Sequence, residues 1–217
     1  SFTHAFPTIQ LVDLICDFTV DTAVWPPVVG EYFVLDSTAP VAVSTLGSIQ
    51  LAEMLADQAV PGLAIVGKTE TENIGLDKII KNVIANSALR TLIVAGIDPV
   101  GHQSGQTLLA LGRNGIDDTG RVLGSPGKKP VLKNVTPNEV DIFRNQVEVV
   151  DMIGCEEMEP IIAKVQELAE SGAPPYMAGM ISALAVVGVA MLGIFLTFVI
   201  SWGLSRTTLK GEVSTFS

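Results

Sequence analysis

Cysteine and positive charge are both scarce in this chain of 217 residues, and each shortage argues against a class of function. The two cysteines, Cys16 and Cys155, lie far apart and form no C-x-x-C motif. The sequence therefore predicts neither a disulfide nor a structural metal site. Lysine and arginine number 13 against 23 aspartates and glutamates, a formal net charge of −10. This balance argues against nucleic-acid binding, which needs basic patches to replace the counterions of phosphates.

Charge is missing altogether between Glu170 and Arg206. Within that stretch, residues 177–204 are continuously apolar or small, and a bilayer core of roughly 30 Å needs about 20 helical residues. The sequence therefore predicts one transmembrane helix at 177–204, after a linker at 171–176 and before a short tail at 205–217. Residues 1–20 lack the basic segment of a secretory signal and carry Asp13 and Asp17 in their apolar stretch, so we expect no export. We therefore expect a single-pass, tail-anchored protein of the cell membrane with its globular domain in the cytoplasm.

Short apolar runs alternate with helical patterns between residues 36 and 170. We predict strands at 41–45, 63–66, 89–95 and 147–152, and helices at about 49–59, 73–86, 103–113 and 156–169. Another helix begins at Thr136, where Thr-Pro-Asn-Glu forms a capping box with proline at the first helical position. This alternation predicts an α/β domain with a mostly parallel sheet and helices on both faces. The first 35 residues are predicted to form a strap on its surface.

One histidine stands out in the predicted globular domain. His102 lies in the segment 101–106, Gly-His-Gln-Ser-Gly-Gln, between a predicted strand and a predicted helix. Open α/β sheets bind ligands at the carboxyl ends of their strands, and the flanking glycines leave room for a bulky ligand. An imidazole there can ligate a metal or move a proton. On the residues alone, a loop histidine that binds nothing is an equally good interpretation.

Residues 62–69, Gly-Leu-Ala-Ile-Val-Gly-Lys-Thr, match the phosphate-binding P-loop motif G-x4-G-K-T. That chemistry requires a flexible loop between the glycines, whereas these four intervening residues are a predicted strand. Glu70 and Glu72 also place negative charge where a phosphate would lie. A P-loop nucleotide hydrolase is therefore kept only as the enzymatic alternative. The non-enzymatic alternative is a membrane-tethered interaction module without a cofactor.

Three longer segments resemble one known family. They are residues 67–75 (GKTETENIG), 101–106 (GHQSGQ) and 127–130 (GKKP). These segments closely resemble the A subunit of tetrahydromethanopterin S-methyltransferase, which is the corrinoid-carrying part of a membrane enzyme of methane-forming archaea. The resemblance extends from about Trp25 to the end of the chain.

The resemblance implies a Rossmann-like domain that holds a cobamide, either 5-hydroxybenzimidazolylcobamide or a related corrinoid containing cobalt. It implies that His102 is the catalytic residue and the protein ligand of the metal. The implied cofactor contacts are Gly67, Thr69, Glu70, Asn73, Gly101, His102, Gln103, Ser104, Gly105 and Gln106. One histidine can suffice, because the corrin itself supplies four nitrogen ligands. The D-x-H-x-x-G pattern of the commoner cobalamin domains is absent from this chain.

The resemblance also implies a role for the chain as methyl carrier of a membrane-bound, sodium-translocating methyltransferase. In that reaction a methyl group moves through cobalt from methyl-tetrahydromethanopterin to coenzyme M. Other subunits of the complex bind these two substrates. Those subunits and the membrane are the implied partners.

Overall fold

The computed structural model describes residues 21 and 24–177, which contain five strands and five helices. The strands are β1 (Tyr32–Val34), β2 (Val41–Ser44), β3 (Leu63–Gly67), β4 (Thr91–Gly96) and β5 (Glu148–Ile153). The helices are α1 (Ile49–Asp57), α2 (Ile74–Ile84), α3 (Ser104–Asn114), α4 (Pro137–Gln146) and α5 (Met158–Glu170). The capping box predicted at Thr136 is confirmed, because its side chain accepts from the Glu139 N–H and the Glu139 carboxylate accepts from the Thr136 N–H.

The five strands form one mixed sheet in the order β1-β3-β2-β4-β5. Strands β3, β2, β4 and β5 run parallel to one another, with Val43 of β2 opposite Val66 on one side and Ile93 on the other. Strand β1 pairs antiparallel with β3 at the edge. After β2 the chain forms β3 on one side and later β4 on the other, so the strand order changes direction at β2.

Helices cover both faces of the sheet. Helices α2, α3 and α4 pack with Ala42, Leu92 and Val94 in one buried cluster, and α1 and α5 pack with Val43 and Ile93 in the other. Alternate residues of a strand point to opposite faces. A strand buried on both faces therefore reads as a continuous apolar run, and this is why β2, β3 and β4 were visible in the sequence.

The predicted fold class is wrong in including a transmembrane helix. The longest helix of the described part, α5, has 13 residues, and none of its helices has the length and apolar character needed to cross a bilayer. Residues 178–204 of the predicted span and the whole predicted tail at 205–217 lie outside the described residues. Residues 1–20, 22 and 23 of the predicted strap lie outside them as well. The fold class is therefore corrected to a mixed α/β domain of five strands and five helices.

The chain before β1 lies against helix α2. The Trp25 Nε1–H donates to the Asn82 carbonyl at 2.8 Å. The Asn82 side chain accepts from the Val28 N–H at 2.9 Å and donates to the Val28 carbonyl at 3.0 Å. Strand β1 follows inside the segment predicted as a strap. It approaches β3 so closely that a Cβ on Gly67 would lie 2.6 Å from the Glu31 carbonyl oxygen, so this position accepts only glycine.

We predict that Gln146→Met destabilises the domain by about 2–3 kcal/mol, because buried carbonyls lose their donor. The buried Gln146 amide donates to the carbonyls of Val83 and Asn86 at 2.8 Å each and of Leu89 at 3.4 Å, at the end of α2 and before β4. Urea unfolding measures the change. The control Asn145→Ala, at an exposed neighbour, should stay within about 0.5 kcal/mol of the parent. Equal losses in the two variants would contradict this role for Gln146.

A second prediction concerns Asp77, whose carboxylate is buried in α2. Its Oδ2 accepts from the Asn134 Nδ2–H at 2.9 Å, while its Oδ1 has no donor among the described residues. Burial raises the pKa of Asp77, and this outweighs the hydrogen bonds from Asn134 and Lys133 and the attraction of Lys81. The folded state therefore binds the proton more tightly than the unfolded state. The penalty for burying the charge is largest above the folded pKa, and it is relieved as the pH falls through that pKa toward the ordinary value of 3.8.

Since asparagine does not titrate, the wild type should gain stability relative to Asp77→Asn as the pH falls from about 7 to about 4. Urea unfolding of both proteins at several pH values gives this difference. A difference that stays constant across the range would show that Asp77 titrates alike in the folded and unfolded states.

Candidate functional site

The loops that follow β3 and β4 meet at the carboxyl end of the sheet. Strand β2 lies between these two strands, so the loops bracket the point where the strand order changes direction. In open α/β sheets that point forms a crevice in which ligands bind. The first loop carries Glu72, and the second carries His102.

Glu72 and His102 form the central contact of the site. The His102 Nδ1 lies 2.5 Å from the Glu72 Oε2. The other carboxylate oxygen, Oε1, accepts from the Lys129 N–H at 2.9 Å. The Glu72 side chain is 2% exposed, whereas that of His102 is 52% exposed. The imidazole is thus fixed from its buried side by a carboxylate, and its Nε2 has no partner among the described residues.

Glu72 keeps its negative charge although its side chain is buried. Burial raises the pKa of this carboxyl group, but hydrogen bonds from the backbone N–H groups of Glu72 and Lys129 and from the His102 ring outweigh that effect, so the pKa lies below its ordinary value. Glu72 is therefore ionised at neutral pH and accepts from its neighbours.

The third family-like segment, residues 127–130, completes the site. A Cβ on Gly127 would lie 2.9 Å from the His102 carbonyl oxygen and 3.0 Å from both the Glu72 Cγ and the Thr107 Oγ1. Only a residue without a side chain fits this contact. The three segments that carry the family resemblance are thus in direct contact in space, although 30 residues separate Glu72 from His102.

Buried hydroxyl groups join the two loops beneath the histidine. The Ser104 Oγ–H donates to the Thr69 carbonyl at 2.6 Å, and the Ser44 Oγ–H donates to the Thr69 Oγ1 at 2.9 Å. All three side chains are buried. These contacts hold β2, the loop after β3 and the start of α3 together; the cofactor-binding roles of Thr69 and Ser104 stay predictions.

The remaining predicted residues of the histidine loop differ in their surroundings. Gly101 is exposed, and a Cβ there would meet nothing within 4 Å. Gln106 is also exposed, while Gln103 has a left-handed backbone at the start of α3. Gly105 is buried, and a Cβ on this residue would lie only 2.7 Å from the Leu46 side chain. The open side of the loop is therefore the one at Gly101 and His102.

The other predicted residues lie in the loop after β3. Asn73 begins α2, and its side chain accepts from the Ile74 N–H at 2.7 Å. Gly67, Thr69 and Glu70 line a cavity of about 210 Å³ between the sheet and α2. Within the described residues, no cluster of three or more His, Cys, Asp or Glu side chains could hold a metal ion.

The P-loop interpretation conflicts with the observed geometry of residues 62–69. Residues 63–67 form strand β3, as the sequence predicted, so no loop wraps a phosphate. The Lys68 Nζ contacts the carboxylates of Glu31 at 2.7 Å and Glu70 at 2.9 Å. Hydrogen bonds to these two groups raise the pKa of Lys68. The lysine that would bind phosphate is therefore already neutralised by two carboxylates.

Sequence reasoning noted Asp98 only as an imitation of a magnesium-binding aspartate and missed that it fixes the histidine loop at its other end. Its Oδ1 accepts from the Gly105 N–H and its Oδ2 from the Gln106 N–H, both at 2.9 Å. These N–H groups belong to the first turn of α3, where a negative charge is favourable. The position of an aspartate shortly before a predicted helix was the only sequence signal available.

We expect Asp98→Ala to destabilise the domain by about 1–2 kcal/mol, because two N–H groups of the first turn lose their acceptor. Thermal or urea unfolding tests this, with the exposed Asp118→Ala as the matched control. If both variants unfold like the parent, water replaces the Asp98 carboxylate without cost.

Comparisons with known proteins agree on one family. The family model for the A subunit of tetrahydromethanopterin S-methyltransferase, MtrA, matches residues 20–184. A relative named as the second A subunit (A 2) of that enzyme, from Methanothermobacter thermautotrophicus, is 45% identical over 152 residues, which cover 69% of this chain and 81% of the relative. The first A subunit (A 1) of the same organism is 39% identical over 147 residues, or 67% and 60% of the two chains. The A subunit of Methanocaldococcus jannaschii is 42% identical over 144 residues, or 66% and 58%.

Proposed function

Because the chain belongs to the family of the A subunit of tetrahydromethanopterin S-methyltransferase, and is therefore part of a methyltransferase, we propose that it carries the methyl group on a cobamide. In this proposal it works in a membrane-bound complex that moves a methyl group from methyl-tetrahydromethanopterin to coenzyme M. Partner subunits present the two substrates, and the reaction drives sodium across the membrane. The substrates and the sodium step are supported by the family resemblance alone.

The observation that carries the proposal is the Glu72–His102 pair. A histidine that ligates a metal commonly donates its other ring N–H to a carboxylate, which fixes the tautomer and the ring orientation. Here Nδ1 lies 2.5 Å from a buried carboxylate, so the proton belongs on Nδ1 and the lone pair on Nε2. This nitrogen belongs to a half-exposed ring at the carboxyl end of β4.

The residues of the site fit a cofactor that needs a single protein ligand. A bound cobamide would supply a cobalt centre able to accept and release a methyl group, and His102 would be its one protein ligand. The surroundings of His102 suit a broad ligand: Gly101 has open space around it, and Ile97 and Val100 are 54% and 95% exposed. These two apolar side chains would cover part of such a ring, and burial of their surface would favour binding.

The remaining residues of the site have defined tasks in this proposal. Glu72 positions the imidazole and holds its proton, and Lys129 fixes Glu72 through its backbone N–H. Gly127 allows the 127–130 segment to lie against both loops. The cavity lined by Gly67, Thr69 and Glu70 offers further room beside the loop for the cofactor's side chains.

The test is reconstitution of the full-length chain with a cobamide. We expect His102→Ala to remove the protein nitrogen that would ligate cobalt, so that the electron paramagnetic resonance signal of divalent cobalt loses the splitting from that nitrogen. Glu72→Gln should weaken cobamide binding by roughly 10–100-fold, the usual effect of removing a carboxylate that orients a ligating histidine. The exposed Glu53→Gln on α1 is the control, and it should bind like the parent.

Three results would contradict the proposal. A wild-type chain that binds no cobamide would favour the cofactor-free interaction module. An unchanged cobalt spectrum in His102→Ala would exclude ligation by this residue. Equal affinities of Glu72→Gln and Glu53→Gln would show that the buried carboxylate only packs the loops.

A further inference from the structure

A second candidate site lies at the opposite end of the sheet. A groove of about 620 Å³ is lined by residues at the amino ends of β4 and β5, including Thr91 and Glu148, and by the ends of α3 and α4. Because β4 runs from Thr91 to Gly96 at about 3.3 Å per residue, the groove lies roughly 17 Å from the start of the histidine loop. None of the residues assigned to the cobamide lines it.

Arginine is concentrated in this groove. The described residues contain four arginines, and three of them, Arg90, Arg113 and Arg144, line the groove; the fourth, Arg121, does not. Glu148 is the only carboxylate in the lining. The lining is therefore positively charged in a chain whose formal net charge is −10. Such a local excess attracts anions.

Arg90 has unused hydrogen-bonding capacity. An arginine side chain carries five N–H donors, and that of Arg90 forms no hydrogen bond to the described residues; its Nε–H is buried without an acceptor. The guanidinium lies 5.7 Å from the centre of the Tyr176 ring. The Tyr176 N–H donates to the Ser87 carbonyl at 2.8 Å, which fixes the backbone that carries this ring. The arginine is thus positioned by packing while its donors lack acceptors.

The other two arginines have different environments. Arg144 is fixed, because its Nε–H and Nη2–H donate to the carbonyls of Gly112 at 3.3 Å and Arg113 at 3.0 Å, and its Nη1 lies 3.7 Å from the Asp141 carboxylate. Arg113 is exposed, and its side chain has no acceptor among the described residues. Two guanidinium groups of the groove are therefore free to bind an anion beside a third that shapes its wall.

We propose that this groove binds a phosphate-bearing anion through Arg90 and Arg113. A guanidinium matches a phosphate with two parallel N–H···O bonds, which an ammonium cannot form. The buried Nε–H of Arg90 has no acceptor, and an anion in the groove would place negative charge beside a guanidinium that no carboxylate of the described residues neutralises. The same chemistry recognises a free phosphate compound and the headgroup of an anionic lipid.

The experiment uses the full-length chain and two probes. Calorimetry with pyrophosphate measures binding of a free anion, and co-sedimentation with phosphatidylcholine vesicles, with and without phosphatidylglycerol, measures binding of a headgroup. The variants are Arg113→Gln, at an exposed position that folding tolerates, and Arg90→Gln with Arg113→Gln together. Arg121→Gln is the matched control, because it removes the same charge outside the groove. Thermal unfolding confirms that each variant is folded.

We expect the wild type to bind pyrophosphate or the phosphatidylglycerol vesicles, with roughly tenfold weaker binding in Arg113→Gln and a larger loss in the double variant. Arg121→Gln should bind like the parent. A response to pyrophosphate identifies a soluble ligand, and a response to phosphatidylglycerol vesicles alone identifies a lipid headgroup. Absence of both responses, or an equal loss in Arg121→Gln, overturns the proposal. Cobamide binding is unaffected in either case, so the two proposed sites are tested separately.

Discussion

The site depends on a carboxylate that the fold removes from water and then surrounds with donors. Burying a charge is expensive unless hydrogen bonds replace its hydration. Glu72 obtains them from His102 and from the backbone of Lys129. Glu72 and these two partners belong to three segments that are distant in sequence, so one ionised group fixes all three segments relative to each other. Without it, His102 would be an exposed side chain whose ring could rotate freely.

The sheet topology makes this arrangement possible. The chain places β3 and β4 on opposite sides of β2, so the loops after them converge over the end of the strand between them. Helices on both faces leave that end as the open side of the parallel strands. The buried contact of Ser104 with Thr69 then ties the start of α3 to the loop after β3. The histidine is therefore carried by a loop held at its base and open at Gly101.

Signals that act over a few residues were readable from the sequence. Fully buried strands gave apolar runs, and the predicted strand at 63–66 differs from the observed β3 by one residue. The capping box marked the start of α4, and the glycine-flanked histidine was correctly located between a strand and a helix. Strand β1 was missed because it has three residues with mostly exposed side chains and is defined only by its pairing with β3.

Interactions between distant residues were not readable in the same way. Glu72 was interpreted only as a charge that opposes phosphate binding, since nothing in the sequence links it to a histidine 30 positions later. The role of Asp98 likewise follows from the path of the loop. The apolar stretch at 177–204 predicted a helix that has no counterpart in the described part of the chain. The family could be identified only through three family-like segments, because composition and spacing do not identify a subunit of this methyltransferase.

The contact at Gly127 sets where the chain can be lengthened. Surface loops usually accept insertions, but this one touches the His102 carbonyl and the Glu72 side chain with no space for an additional atom. The turn at Asp117–Thr119 is different: its hydrogen bonds are local, with the Asp117 carboxylate accepting from the Thr119 N–H and hydroxyl and from the Arg121 N–H. A reporter peptide inserted at Thr119 would leave the three-loop junction untouched, whereas the same insertion at Gly127 would disrupt the contact of this segment with His102 and Glu72.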